Sequence, residues 1–387
     1  MAANEEDYLD GLLKSLSDKE NAESELKDEE EEEIKEQVRE AVEKSNETNS
    51  QYENIYVDDQ AENDEKQAKE EKVEDDINLQ ALLSANTKAV SIFGKSWDFH
   101  VTDIIHTTLE ENLRMIEETV AFLKAHGKEV IFDAEHFFDG YKRNPDYAIQ
   151  TLLAAQKGGA DYICLCETNG GAFPDEVSRI VAQVLPQLRV PVGIHTHDDG
   201  GMAVASSVMA VLAGAQMVQG TLIGFGERCG NANLSAIIAN LQLKRNYQCI
   251  PPENLHKLMQ TCRVVSEISN VRLHKNMPYV GKSAFAHKGG MHIDGVNKAP
   301  ASFEHINPES VGNSRRFLMS EVAGRSTLIE RIQKVDASVR REDEVTTRII
   351  NQVKEMEHQG YQFEGADATL EMLIRKQLGQ YRPFFRV

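Results

Sequence analysis

Four short apolar runs punctuate the middle of the chain at a steady interval, and that interval limits the possible folds more than any other feature. EVIFDA (129–134), DYICLC (161–166), PVGIHTH (191–197) and QMVQGTLIG (216–224) begin 32, 30 and 25 residues apart. The segments between them, PDYAIQTLLAAQ, PDEVSRIVAQVL and MAVASSVMAVLAG, carry the apolar spacing of helices. Continuous apolar strands alternating with helices imply a parallel sheet, because each helix returns the chain to run alongside the strand it left. With a further run near Val90, five strands are predicted from about Val90 to Gly224. The sheet is then either open and doubly wound or part of a (β/α)8 barrel, and chemistry belongs at the C-terminal ends of its strands.

The best-marked helix follows Thr107 and Thr108, where Leu109, Leu113, Ile116, Val120 and Leu123 recur at spacings of four and three before Gly127 ends it. Beyond Asn240 the rhythm stops. The sequence there predicts a helical stretch over about 252–270, a loop-rich segment over 278–314, and a long helix carrying Val345, Ile349, Val353 and Met356.

Charge divides the chain as sharply as pattern does. Residues 1–76 hold 29 Asp and Glu against 9 Lys and Arg, whereas the remaining 311 residues hold 34 against 33. That first segment has no Pro, Cys or His and a DEEEEE run at 28–33, so it buries too little apolar surface to offset the entropy of ordering. We expect a disordered acidic tail. Tyr8, Leu9, Leu12, Leu13 and Leu16 share one helical face within it, which fits either a short docking motif or an incidental amphipathic turn. The expected domains are therefore an acidic tail (1–76), a partial barrel (77–245) and a helical lid subdomain (246–387).

Neither half offers the basic surface that nucleic acid or an anionic membrane requires. Five cysteines, an odd number, read as reduced thiols rather than a disulfide framework. The start, MAANEEDYLD, lacks the basic and apolar regions of a signal peptide, and no run approaches a membrane span. A cytoplasmic location is expected.

Chemistry-bearing residues fall where the strands end. His195 and His197 stand at i and i+2, so strand alternation aims both imidazoles the same way, an arrangement suited to a divalent metal or to a hydrogen-bonded structural pair. Asp198 and Asp199 follow as further acceptors. In GFGERCGNANL (224–234) the glycines permit tight turns, and Asn231 either offers a carbonyl oxygen to the same ion or caps the next helix. Mg, Mn or Zn would suit this donor set. Glu227 and Arg228 read as an ion pair or as substrate contacts. Glu135 with His136, and Thr168 with Asn169, lie just past two strands, placing a candidate base and a candidate carboxylate binder at the rim. AFAHKGGMHIDG supplies His287, Lys288, His292 and Asp294 in a glycine-containing loop, either a lid bringing in a base or an idle surface loop.

IFGKSWDFHV, DAEHFFDGYK, LCETNGG, GIHTHDDGGMAVASS, GTLIGFGERCGNANL, SAFAHKGGMHIDGV and FEHINPESVGN, in this order from about Leu79 onward, closely resemble the 2-isopropylmalate and homocitrate synthase family, and within it the citramalate-forming branch. The resemblance implies an α/β fold, a TIM (β/α)8 barrel with an appended helical region. It implies a Claisen-type condensation of acetyl-CoA with a 2-oxo acid, here pyruvate, giving (R)-citramalate for isoleucine synthesis. His195, His197 and Asn231 would bind the divalent ion, Thr168 the substrate carboxylate, and Glu135 and His292 would act as catalytic acid/base residues. A homodimer is expected, with no nucleic-acid or membrane partner. Alternatives are 2-isopropylmalate synthase activity, a related metal-dependent hydroxyacyl-CoA lyase, and an inactive fused fragment with a partner-binding tail.

Two departures accompany the resemblance. Glu167 stands where such synthases usually have Asp. They also open with a strand reading approximately D-x-T-L-R-D-G, which supplies an oxyanion-stabilising Arg and a metal-binding Asp, and these 387 residues contain no such segment. The barrel is thus expected to be incomplete, with two unpaired edges, an exposed interior and impaired activity. The C-terminal regulatory domain of such synthases is likewise not expected here.

Overall fold

The computed structural model describes residues 72–318, 325–361, 363 and 366–381, together with Glu36. The acidic tail and its Tyr8–Leu16 apolar face lie outside the described residues. The chain divides into two compact units, one formed by Met1–Leu241 with Gln260–Val271 and the other by Gln242–Met259 with Arg272–Val387.

The first unit is built on five parallel strands whose order in the sheet follows their order in the chain, as the sequence rhythm predicts. They are β1 (Ala89–Lys95), β2 (Glu129–Glu135), β3 (Tyr162–Glu167), β4 (Val192–Thr196) and β5 (Met217–Gln219). Helices α1 (Ile77–Ser84), α2 (Leu109–Ala125), α3 (Phe137–Arg143), α4 (Pro145–Gly158), α5 (Pro174–Val184) and α6 (Ala203–Ala213) flank and connect them, and α7 (Leu234–Arg245) follows β5. Thr108 caps α2, its hydroxyl oxygen accepting from the Glu111 N–H at 3.1 Å. Asn144 does the same for α4 through Tyr147, with Pro145 at the first helical position.

Alternation along the strands sorts the side chains into a helix-facing core and a second face. Val130, Phe132 and Ala134 of β2 join Ile163 and Leu165 of β3 and Val192 and Ile194 of β4 in one buried cluster with Leu123, Leu152, Ile180 and Val184 from the helices. Each large side chain buried there contributes about 1.5–3 kcal/mol. The opposite face carries Phe93, Asp133, Glu135, Cys164, Cys166, His195 and Gln219. That face curls. Gln219 on β5 donates from Nε2 to Oδ1 of Asp133 on β2 at 2.7 Å, although three flat strand steps would separate them by about 14 Å. The side chains meet only because the sheet bends as a barrel wall does. Phe93 on edge strand β1 is 69% exposed, as expected of an interior residue in an open sheet.

The second unit is mainly helical. A two-strand parallel pair, β6 (Ala286–His287) with β7 (Arg316–Phe317), precedes a bundle of α10 (Arg325–Val335), α11 (Glu344–His358) and α12 (Asp367–Gln377), whose core includes Ile332, Ile349, Val353 and Ile374. The expected helical stretch over 252–270 is a 3-10 turn (Pro252–Lys257) leading into α8 (Leu258–Ile268), and part of it groups with the first unit. Segment 286–298, read from sequence as loop, is instead β6, a turn and the helix α9 (Gly290–Lys298). Gly295 lets the Phe303 ring pack against this helix, since a Cβ there would stand 2.4 Å from the ring. Among the described residues, no helix is long and apolar enough to cross a membrane.

Candidate functional site

Where β4 ends, its side chains meet the glycine-rich loop that follows β5. His197 and Asn231 form an isolated antiparallel bridge, flanked by Asp198 N–H to Gly230 C=O at 3.0 Å and Ala232 N–H to Thr196 C=O at 3.0 Å. Glycines make this close approach possible. Gly230 sits at φ +99°, and a Cβ on it would lie 2.1 Å from the Gly224 carbonyl oxygen. Asn231 is not a helix cap; the side chain that accepts from Ser235 N–H at the start of α7 is Asn233. Instead, Asn231 donates from Nδ2 to Phe225 C=O at 3.2 Å, and its Oδ1 is buried without a hydrogen-bond partner among the described residues. A buried carbonyl oxygen left open costs free energy unless something electropositive meets it.

His197, the bridge partner of Asn231, has its ring centroid 5.1 Å from that of His195. Nδ1 of His195 is 2.9 Å from Oε1 of Gln219, while Asp133 accepts from both Gln219 and Ser91, the latter at 2.7 Å. Burial pushes the Asp133 carboxyl above its usual range despite these two donors. His197 is held below the ordinary imidazole range, first by burial and then by the charges of His195 and Arg228, so it is neutral at pH 7. The two imidazoles and the open amide oxygen form a donor set whose chemistry suits Mg, Mn or Zn, with Nδ1 of His197 also accepting from Arg228 at 2.9 Å.

Arg228, the residue expected beside Glu227, turns mainly to other groups. It binds Asp199 through Nε at 2.8 Å and through Nη2 at 2.9 Å, and Nη2 also reaches the Thr168 carbonyl at 2.6 Å; Glu227 stands off at 3.8 Å. Asp198 is used structurally, accepting from the Ala203 N–H at the start of α6.

On the β1–β2–β3 side, Glu135 is the last residue of β2 rather than the first after it, and it forms an ion pair with its register partner Lys95. His136 then takes the left-handed conformation (φ +55°), which sends its N–H to the Thr168 hydroxyl oxygen at 2.9 Å. That contact uses the oxygen as acceptor and leaves the O–H of Thr168 as a donor. Asp139 fixes the surroundings by accepting from Asn169 at 2.9 Å and pairing with the His136 ring at 3.1 Å. His100 stacks on Trp97 and approaches His136, with ring centroids 5.0 and 4.3 Å apart. Glu167, by contrast, is buried, and its Oε1 staples the next turn by accepting from the Gly171 and Ala172 amides.

His195, His197, Asn231, Thr168 and Glu135 thus all gather at the C-terminal ends of the strands in the first unit. His292 belongs to α9 of the second unit, where its ring stacks on Phe303 with centroids 4.2 Å apart. In that unit His287 and Arg315 converge on the carboxylate of Glu304, which is 2% exposed. Asp133, Gln219 and Lys95 are not among the sequence candidates, although strand register places all three on the face of His195. Cys164 and Cys166 also bring two thiols within 4.8 Å of the Asp133 carboxylate; burial pushes the Cys164 thiol well up, keeping it protonated.

Residues 29–265 match the family model described as HMGL-like, and residues 279–361 match the homocitrate synthase post-HMGL domain-like model. The chain is similar to the (R)-citramalate synthase of Aquifex aeolicus, 53% identical over 315 residues, covering 81% of this chain and 60% of that protein. It is 50% identical over 323 residues to the (R)-citramalate synthase of Synechocystis, covering 81% and 59%. To the homocitrate synthase AksA of Methanopyrus kandleri it is 32% identical over 301 residues, covering 78% and 74%. The chain thus spans about 60% of the length of the citramalate synthases it matches. With the first model matching more than half of its residues, the chain belongs to the HMGL-like family.

Proposed function

We propose that this chain carries the catalytic portion of an acyltransferase that joins the methyl carbon of acetyl-CoA to the carbonyl carbon of pyruvate and hydrolyses the thioester to release (R)-citramalate, in branched-chain amino-acid biosynthesis. The observation that carries this reading is the unpartnered Oδ1 of Asn231, whose backbone is bridged to His197 of the His195–His197 pair. His195, His197 and Asn231 would hold a divalent ion, which supplies Lewis-acid polarisation of the oxo-acid carbonyl when bound. The free O–H of Thr168 donates to the substrate carboxylate. Glu135, oriented by Lys95, takes a proton from the acetyl methyl group, a step worth about 10²–10⁴-fold in rate. His292 is the second acid/base candidate, a role that rests on the family resemblance of its motif.

Identity to citramalate synthases supports pyruvate as the oxo acid. The post-HMGL match supports a condensing synthase over a hydroxyacyl-CoA lyase. A tail (1–76), a partial barrel (77–245) and a helical lid (246–387), a homodimer and a cytoplasmic location belong to the same reading. The test follows the absent D-x-T-L-R-D-G segment. The chain alone should release no CoA thiol from acetyl-CoA with pyruvate and Mn2+. A chimera in which the N-terminal third of a relative replaces residues 1–76 should release it. A folded chimera that stays silent would end the reading.

A further inference from the structure

His195 sits at one end of a hydrogen-bonded chain that crosses the curled face of the sheet, and each link in it has a fixed polarity. Ser91 donates from its hydroxyl to Oδ2 of Asp133 at 2.7 Å, and Gln219 donates from Nε2 to Oδ1 at 2.7 Å. A carboxylate can only accept, so the amide nitrogen of Gln219 must face Asp133 and its Oε1 must face the other way. The reversed amide would set its oxygen against a carboxylate oxygen. Oε1 therefore meets Nδ1 of His195 at 2.9 Å as an acceptor, and an acceptor there requires the ring proton on Nδ1. A neutral imidazole has one N–H, so Nε2 keeps its lone pair.

We infer that Gln219 and Asp133 are positioning residues that lock His195 in the Nδ1–H tautomer and so present Nε2 as its donor atom. The inference rests on the reading of His195 as a metal ligand, for which a carboxylate-backed hydrogen bond to the far ring nitrogen is the arrangement that fixes ring and tautomer. Three features make this chain a built one. Its members come from four strands, β1, β2, β4 and β5. It spans the sheet only because the sheet curls. And Gly193, between Cys164 and Met217 in the register, presents no side chain on the face that Gln219 crosses.

His197 provides an internal contrast. Its Nδ1 faces Nη2 of Arg228 at 2.9 Å, a group that can only donate, so its proton is on Nε2. Neighbours thus assign opposite tautomers to the two rings of one H-x-H pair.

The test uses the full chain with ¹⁵N-labelled histidine, the His195 signals being assigned by their disappearance in His195→Gln. Two-bond nitrogen–proton correlations at pH 8 read directly which ring nitrogen is protonated. The expected result is Nδ1–H for His195 and Nε2–H for His197 in the wild type. Gln219→Leu should lose the Nδ1–H preference at His195 and bind Mn2+ about 10- to 100-fold more weakly, with an unchanged near-UV circular dichroism spectrum. Asp133→Asn, which lets the Gln219 amide turn either way, should give a mixture of His195 tautomers. His195 protonated on Nε2 in the wild type would overturn the inference, as would an unaltered tautomer in Gln219→Leu. If the wild type shows Nδ1–H but binds no Mn2+, the positioning stands and the ligand reading falls.

Discussion

Arg228 and His197 are joined by a hydrogen bond of 2.9 Å from the guanidinium Nη2 to the imidazole Nδ1, and the same nitrogen reaches the Thr168 carbonyl at 2.6 Å. A fixed positive charge therefore stands where acceptors that follow β3 and β4 converge, held by Asp199 and by a backbone in the left-handed conformation (φ +54°). The His197 lone pair that a cation would use is the one Arg228 occupies.

Replacing Arg228 should therefore strengthen binding of a divalent ion. Arg228 is 43% exposed, so the water value of Coulomb's law applies, about 1 kcal/mol for unit charges 4 Å apart, or about fivefold in affinity. Arg228→Gln should bind Mn2+ at least about fivefold more tightly in a titration followed by electron paramagnetic resonance. Equal or weaker binding would mean that the guanidinium supports the ion's ligands instead of competing with it.

Glu135 should separate cleanly from the ion-binding residues. It pairs with Lys95 on the neighbouring strand and makes no contact with the imidazoles in the hydrogen-bond network. Glu135→Gln in the chimera with a relative's N-terminal third should lower CoA release by about 10²–10⁴-fold and leave Mn2+ affinity unchanged. A parallel fall in both would place Glu135 among the ligands.

The parts of this arrangement that follow from local sequence were legible, and the parts that depend on sheet curvature were not. Thr108 announces α2 because an N-cap residue followed by apolar positions at helical spacing has one economical structure. His195 and His197 were readable because a period of two fixes their direction on any strand. Gln219 was not, because its partner Asp133 is three strands away and comes within reach only when the sheet bends. Nor does spacing predict that Arg228 takes Asp199 rather than adjacent Glu227, a choice made by the turn of the glycine loop. Gly289, Gly290 and Gly295 argue for loop across 284–295, yet Gly295 serves the packing of Phe303 against α9.

Gly140 ties α3 to the end of β1, and with it the Lys95–Glu135 pair. A Cβ at this position would stand 2.1 Å from the Ser96 carbonyl oxygen and 2.9 Å from the Trp97 Cα, both backbone atoms with little freedom to retreat. Overpacking of this kind costs about 3 kcal/mol, the upper end of its usual range. Gly140→Ala should lower the urea midpoint accordingly, whereas Gly171→Ala, with open space around its Cβ position, should not. Comparable midpoints for the two variants would show that α3 can shift away from β1.

Glu167 offers a test in which the sign depends on pH. Its carboxyl is buried, and desolvation raises its pKa above the ordinary value of 4.5 even though the Gly171 and Ala172 amides favour the charged form. A carboxyl with a raised pKa binds its proton more firmly in the folded chain than in the unfolded one. Its charge therefore weakens the fold as pH rises through the window from the ordinary value to the raised one, and the penalty is complete above that window. Glu167→Gln keeps an oxygen for the two amides and carries no charge. Its urea midpoint should exceed that of the wild type at pH 7, and the difference should vanish below about pH 4.5, where both side chains are neutral in both states. A difference that is the same at pH 7 and pH 4, or a variant less stable at pH 7, would mean that the two amide bonds outweigh the cost of burying the charge.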